Sequence, residues 1–354
     1  MNTFEILYEN KIHPSTFLER KMKINDPFTI IVGPKLSGKS YLIYDYIETN
    51  KEEYLYIDMN DLKDLDFDVN KLQKFIIDKK IEILIIENYD YRFNLPTVKS
   101  IIISTEIYKD IDGFNKIIVM PLDFEEYLSF DIKHQNTTNS FNSFLKYGNI
   151  AELIDYKDNK KQNRNKEIIQ LLSTNLTSNR ILELLIRNTS LLKSTFWLFN
   201  ELKKTMKISK DFFYKQIKLY ELNNTIIFCP KFNSINNTKK LFIYNHSFMH
   251  NVSYKKNFNA VFTNMIFLEI YSRYKDVCYY DKIDFYIPSI KTIVIVIPFY
   301  NNIQLESISN KITNIKNDIQ FDTIHIVTIS NQNSIYIENI PCEVMPFYEW
   351  AVSI

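Results

Sequence analysis

Gly33-Pro34-Lys35-Leu36-Ser37-Gly38-Lys39-Ser40 is the stretch on which the reading of this chain turns. It spells G-x-x-x-x-G-K-[ST] in a chain of 354 residues that holds only four glycines, Gly33, Gly38, Gly113 and Gly148. A composition so poor in glycine would rarely place two of them at this spacing by accident. The flanks agree with the motif. Phe28-Thr29-Ile30-Ile31-Val32 predicts a short buried strand, and Ser40 to Ile47 predicts a helix with Leu42, Ile43, Tyr46 and Ile47 on one side. Strand, glycine loop and helix follow one another as the motif requires.

The pattern is that of a Walker A phosphate-binding loop, and the residue types explain why. Glycine permits backbone angles that turn successive N–H groups inward as an anion nest. The helix that follows points its positive end at the same place. On this reading Gly33, Pro34, Lys35, Leu36, Ser37, Gly38, Lys39 and Ser40 cradle the phosphates of ATP. The Lys39 ammonium reaches the β and γ phosphates, and the Ser40 hydroxyl ligates Mg2+.

A second acidic element is expected to share the metal. Ile83 to Ile86 read as a fully buried parallel strand, and Glu87 at its carboxyl end takes the metal-side position. Asn88 stands where a carboxylate would activate water. An amide can orient water but cannot accept its proton. Slow hydrolysis is therefore expected, unless Asp90 or another group substitutes.

The same rhythm continues around the motif. Tyr54 to Ile57 predict a strand, Asn70 to Lys80 a helix, Lys99 to Thr105 a strand, and Lys116 to Met120 a fifth strand. Ser104 and Thr105 end their strand either as sensors of the γ-phosphate or as simple terminal hydroxyls. The alternation predicts an α/β domain with a parallel sheet, its ligand at the strand carboxyl ends.

Pro121-Leu122-Asp123-Phe124-Glu125-Glu126-Tyr127-Leu128 follows the fifth strand. With the glycine loop, Glu87 and Ser104-Thr105, this segment resembles the archaeal and bacterial AAA-type P-loop ATPases. More narrowly, it resembles the subfamily with a C-terminal domain related to the PD-(D/E)xK nucleases. In that family a P-L-x-F-x-E-[FY] segment follows the last core strand, then a winged helix, then a restriction-endonuclease-like domain. The resemblance covers most of the chain and weakens along it. The chain departs from the pattern in having Glu87-Asn88 for Asp-Glu. It also has Gly113-Phe114-Asn115-Lys116 for Gly-Arg. An arginine finger would have to come from Arg20, Arg92, Arg164, Arg180, Arg187 or Arg273. Arg92 lies closest behind Glu87, either in that role or as an exposed loop residue.

Beyond the first domain, Asn136 to Ser140 read as a polar loop, and Lys157 to Lys166 as a charged loop or the exposed start of a helix. Helices are predicted around Ile181 to Ile186, over Phe196 to Met206, and after an N-cap at Ser209. Strands follow at Thr225–Cys229 and Lys240–Tyr244, the order of a winged helix. Lys207, Lys210, Lys215 and Lys218 make DNA contact conceivable. Glu201, Asp211 and Glu221 dilute that charge, which favours a protein-contact role. Phe258 to Tyr274 predict a helix carrying Glu269, and Asp284 opens a later strand. The next strand, Thr292 to Pro298, has neither the acid nor the lysine that a nuclease metal site needs. The domain reads as nuclease-like in fold and inactive, with Glu269 and Asp284 as remnants or structural groups.

Composition bounds the rest. Lys and Arg total 43 against 42 Asp and Glu, a formal net charge of +1, so no global basic field draws the chain to nucleic acid or lipid. Cys229, Cys278 and Cys342 lack metal or redox spacing and read as buried reduced thiols. His13, His134, His246, His250 and His325 read as structural or surface residues. Glu5 and Glu9 argue against a signal peptide, and the longest apolar run, Ile293 to Ile297, is too short to span a bilayer. A cytoplasmic protein without membrane contact is expected, with a protein partner or self-association through its C-terminal domains. The expected organisation is an ATP-binding domain over residues 1–135, a helical linker and winged helix over 136–250, and a degenerate nuclease-like α/β domain over 251–354. Three functions remain in view. One is a slow Mg-dependent ATPase coupling nucleotide state to its C-terminal domains. Another is a nucleotide-sensing module with little turnover. The third, against the inactive reading of the C-terminal domain, is nucleic-acid cleavage by that domain.

Overall fold

Four strands rich in β-branched residues and a fifth, Tyr54–Asp58, make the first sheet. In the computed structural model, which describes residues 3–11, 19–61, 68–134, 136–234, 238–252, 257–281, 283–301 and 303–354, the chain divides into two units. The first comprises Met1–Pro121 with Leu222–Thr225, and the second Leu122–Glu221 with Ile226–Ile354.

The first unit runs α1 (Thr3–Glu9), β1 (Phe28–Val32), α2 (Lys39–Thr49), β2 (Tyr54–Asp58), α3 (Val69–Lys79), β3 (Ile83–Glu87), β4 (Ser100–Thr105) and β5 (Asn115–Ile118). The strand order is β2-β3-β4-β1-β5, and every pairing is parallel. Both faces of the sheet are covered, as the unbroken apolar strands require. Ile30, Val32, Leu55, Ile57, Leu84, Ile86, Ile101 and Ile103 face one core together with Phe4 of α1 and Leu72, Phe75 and Ile76 of α3. Ile31, Ile83, Ile85 and Ile102 face the other with Leu42, Ile43 and Ile47 of α2. Alternate residues of one strand thus serve opposite cores. The fifth strand occupies Asn115–Ile118 rather than Lys116–Met120. It pairs with β1 at the sheet edge, and Val119 N–H continues the ladder to Val32 O at 2.8 Å.

The second unit opens with α4 (Phe124–Phe130), α5 (Thr137–Tyr147), α6 (Asp158–Leu171), α7 (Leu176–Arg187), α8 (Thr195–Lys203) and α9 (Lys210–Leu222). An antiparallel pair, β6 (Ile226–Cys229) and β7 (Lys240–Ile243), follows, then α10 (Met249–Val252) and α11 (Phe258–Arg273). The remainder is β8 (Cys278–Tyr280), β9 (Ile283–Ile287), β10 (Thr292–Val296), α12 (Gln304–Ile315), β11 (Thr323–Thr328), β12 (Asn333–Ile337), β13 (Ile340–Pro346) and α13 (Phe347–Ser353). These strands form one mixed sheet in the order β12-β13-β11-β10-β9-β8. The three helices and strand pair read between Asn179 and Tyr244 are present.

The stretch Asn136 to Ser140 is a correction. It opens α5, with the Asn136 side chain accepting from Asn139 N at 2.8 Å. Phe141, Phe144 and Tyr147 recur at helical spacing and are buried, so packing overrides the polar sequence of the first turn. The charged stretch Lys157 to Lys166 takes the helical alternative, as most of α6. The Pro121–Leu128 segment becomes a capped helix start. Asp123 accepts from Glu126 N at 2.8 Å, and Glu126 reaches back to Asp123 N at 3.4 Å. Among the described residues, no helix is long and apolar enough to cross a membrane.

Candidate functional site

The carboxyl ends of β2, β3, β4 and β1 lie side by side, and the glycine loop leaves the last of them. In register, Asp58 stands opposite Glu87, Ile86 opposite Ile103, and Thr105 opposite Val32. The parallel arrangement therefore brings four strand ends, read separately from sequence, to one edge.

The loop requires its glycines. Gly33 has φ +154°, and a Cβ there would sit 2.1 Å from the Val119 carbonyl oxygen, a contact no side chain tolerates. Gly38 has φ +96° and serves as the N-cap of α2, with no side chain capping the first turn. The N–H groups of that turn therefore remain directed at the loop. Leu36, at φ +62°, also adopts left-handed backbone. Pro34 and Ser37 are buried, whereas Lys35 and Leu36 are exposed, and Lys35 pairs with Glu106 at 3.2 Å. The Ser37 hydroxyl oxygen is buried without a hydrogen-bond partner among the described residues. An orphaned hydroxyl in the glycine loop, beside the start of α2, suits an anion.

Lys39 turns its ammonium into the loop. It donates to Gly33 O at 3.0 Å and Pro34 O at 2.9 Å. Burial pulls its pKa down to about 8, against the opposing pull of the Glu106 and Glu87 carboxylates. It is a cation short of anionic partners and already aimed at the loop.

Ser40 and Glu87, both expected at the metal, meet directly. The Ser40 hydroxyl donates to Glu87 Oε1, and the Tyr56 hydroxyl donates to Glu87 Oε2. Glu87 is buried, at 6% exposure. Burial, then the Glu87 carboxylate, raise the Tyr56 phenol far above its ordinary range. A buried carboxylate held by hydroxyls, one of them at a helix start beside the loop, offers hard oxygen donors of the kind Mg2+ takes. The residues present therefore fit the ion.

The remaining expected residues divide. Asn88 lies beside the site in left-handed backbone, φ +55°, and its amide Nδ2 donates to Asp58 Oδ1 at 2.9 Å. The Ser104 hydroxyl accepts from Asn88 N at 3.4 Å. Thr105 instead donates to Tyr89 O, in the segment after β3, at 2.9 Å. Asp90 and Arg92 pair with each other, at 2.6 Å in the closest contact.

Tyr56 and Asp58 belong to this region without a role assigned from sequence, and Arg20, named there only among the possible arginine fingers, joins them. The Arg20 guanidinium donates to Ser37 O at 2.8 Å and to Met120 O at 3.0 Å, tying the loop to the segment after β5. Only contact across distant sequence reveals Arg20. The other two carried a local signal, since Tyr56 and Asp58 alternate with buried Leu55 and Ile57 and so share one face of β2.

In the second unit the expected acids are engaged elsewhere. Glu269, at 2% exposure, accepts from Phe124 N at 3.0 Å and pairs with Arg273 at 3.3 Å. Asp284 accepts from Val296 N at 3.0 Å. His246 is buried and bonded through Nε2 to Phe144 O at 2.9 Å, and burial lowers its pKa to about 3. His325 accepts from the Trp350 indole at 3.2 Å, and His134 bonds Asp131 at 2.6 Å. His13 lies outside the described residues. The three cysteines are free and buried.

No family model matches the chain. Over 330 residues it is 23% identical to an uncharacterized protein of Methanocaldococcus jannaschii, a match that covers 76% of this chain and 74% of that protein. The solved structure of the Walker-type ATPase of Pyrococcus abyssi is similar with a TM-score of 0.44 and 15% identity, covering 64% of this chain and 91% of that one.

Proposed function

We propose that the first unit binds Mg-ATP in its glycine loop and hydrolyses it slowly, as an ATPase of AAA type. The observation that carries the reading is the meeting of Ser40 and Glu87 beside a loop whose Gly33 admits no side chain. Gly33 to Ser40 would hold the phosphates, Lys39 would neutralise the β and γ charge, and Ser40 with Glu87 would hold the metal. Bound there, Mg2+ would offset phosphate charge. Ser104 would sense the γ-phosphate through Asn88, to whose N–H it is bonded.

Coupling to the second unit is part of the proposal. Arg20 bridges the loop carbonyl of Ser37 to Met120, two residues before Leu122 opens the second unit. A loop that tightens on phosphate would pull on that guanidinium and so on the exit from the sheet. The second unit would act as a protein-contact or self-association module with a winged-helix segment and a nuclease-like sheet. DNA contact is the less favoured use of that segment. Glu269 and Asp284 support the inactive reading of that sheet, because each accepts from a backbone N–H. Asn88 in place of a carboxylate favours a second reading, a nucleotide sensor with little turnover.

Titration calorimetry with Mg-ATP tests the reading. Wild-type protein should bind, and Lys39→Ala should bind on the order of 100-fold more weakly, the cost of removing a charge-assisted phosphate contact. Heat that does not depend on Lys39 rejects the proposal.

A further inference from the structure

Hydrolysis at this site needs a carboxylate that can take a proton from water, and the acids nearby can be sorted by what already holds them. Glu87 accepts a hydroxyl on each oxygen, from Ser40 and from Tyr56, which commits it to the metal side. Asp90 is held by Arg92 in a chelating pair, with two contacts from Nε at 3.0 and 2.7 Å. Glu106 pairs with the exposed Lys35. Asp58 differs from all three. It ends β2 directly opposite Glu87, and its Oδ1 accepts from the Asn88 amide at 2.9 Å and from Asn60 N at 2.8 Å. Both donors fall on one oxygen, and Oδ2 carries no hydrogen bond among the described residues. The phenols of Tyr44 and Tyr56 are raised by burial and by the Glu87 carboxylate, with Asp58 a smaller contributor, so both acids act on one neighbourhood.

We infer that Asp58 is the proton acceptor for the attacking water and that Asn88 is its positioning residue. This deepens the ATP reading and rests on it. In this site the segment after β3 supplies the amide and the end of β2 supplies the carboxylate. As the water oxygen bonds to the γ-phosphorus, one water proton passes to Asp58 Oδ2. The bond from the γ-phosphorus to the β–γ bridging oxygen breaks, and its electron pair stays on that oxygen. The products are ADP and inorganic phosphate, and the proton returns to solvent. Asn88, bonded at its N–H to Ser104 and through its side chain to Oδ1, restrains the carboxylate and leaves Oδ2 to take the proton.

The test uses the full chain as wild type, Asp58→Asn, Asn88→Asp and the double exchange Asp58→Asn/Asn88→Asp. Aspartate tolerates the left-handed backbone at position 88, so the exchange preserves the local geometry. Mg-ATP affinity is measured by calorimetry and kcat under saturating Mg-ATP. Asp58→Asn should lower kcat by about 100-fold or more while the dissociation constant stays within about threefold. The double exchange should recover kcat to within about tenfold of wild type, a rescue that a purely structural role would not produce. Wild-type turnover in Asp58→Asn overturns the inference, as does an exchange no faster than that single variant. Loss of affinity in Asp58→Asn equal to its loss of kcat also overturns it. If the wild type binds Mg-ATP through Lys39 but never turns over, this inference falls and the binding proposal stands. If it does not bind, both fall.

Discussion

Glu87 in the first unit and Glu269 in the second are both glutamates almost wholly withdrawn from water, yet the groups that hold them differ in kind. Glu87 accepts from two side-chain hydroxyls, Ser40 and Tyr56. Glu269 accepts from the Phe124 backbone N–H at the start of α4 and pairs with Arg273. A hydroxyl can rotate away and present its own lone pairs, so a carboxylate held by hydroxyls can exchange them for a metal ion. A backbone N–H at a helix start has no such freedom, and a carboxylate that satisfies it is part of the architecture. Asp284 follows Glu269 in accepting from a backbone N–H. On the proposed reading, the kind of donor, more than the acid or its place at a strand end, separates chemistry from scaffolding.

Glu269→Ala gives the sharpest way to break that contrast. It leaves a buried N–H of Phe124 and the Arg273 guanidinium without their carboxylate, which should cost the second unit about 3 kcal/mol of unfolding free energy. Chemical denaturation reads this loss, and Mg-ATP affinity should not move. A parallel fall in affinity would show that the acid serves the nucleotide and would erase the distinction.

Asp284 sharpens the contrast at smaller scale. Asp284→Ala orphans Val296 N–H and should cost about 1.5 kcal/mol, whereas Asp284→Asn keeps an acceptor and should be neutral or stabilising at pH 7. The sign follows from its pKa, which burial raises against the opposing pull of Lys240 and Val296 N–H. The folded state keeps the proton longer than the unfolded chain. Ionisation therefore subtracts stability as pH rises past the unfolded value of about 3.9. Thermal melts of the two variants at pH 7 separate the cases. Equal destabilisation would mean that the charge, rather than the acceptor, matters.

The first unit was largely legible in sequence because its signals are local. Isoleucine runs buried on both faces, a glycine loop fixed by steric necessity and a helix with periodic apolar residues each sit within a few residues of one another. Ser40 and Glu87 were assigned to one metal and do meet. What stayed hidden depends on chain segments far apart. Arg20 matters because the fold carries Ser37 and Met120 to it. Sequence pattern ends the second strand at Ile57, one residue short of Asp58, whose significance comes from the Asn88 amide after the neighbouring strand. In the second unit α5 was missed because its first turn is polar, while the buried Phe141 and Phe144 that hold it come later in the helix.

The smallest effect tests the hydroxyl-lined site through its cation. Lys39 has a pKa of about 8 in the folded protein, lowered by burial, against about 10.4 in an unfolded chain. Between these values the unfolded chain binds more protons, so the first unit gains stability as pH rises through that window. Nucleotide binding runs the other way. Triphosphate oxygens beside the ammonium favour its charged form and raise its pKa, so binding above pH 8 must take up a proton. Affinity for Mg-ATP should then fall by about fourfold between pH 7 and 8.5, as the charged fraction declines. Calorimetry at pH 8.5 in two buffers of different ionisation enthalpy should report an uptake approaching one proton per ATP, absent in Lys39→Ala. An uptake that persists in that variant would place the titrating group elsewhere, and the ammonium would then be no more than a clasp for the carbonyls of Gly33 and Pro34.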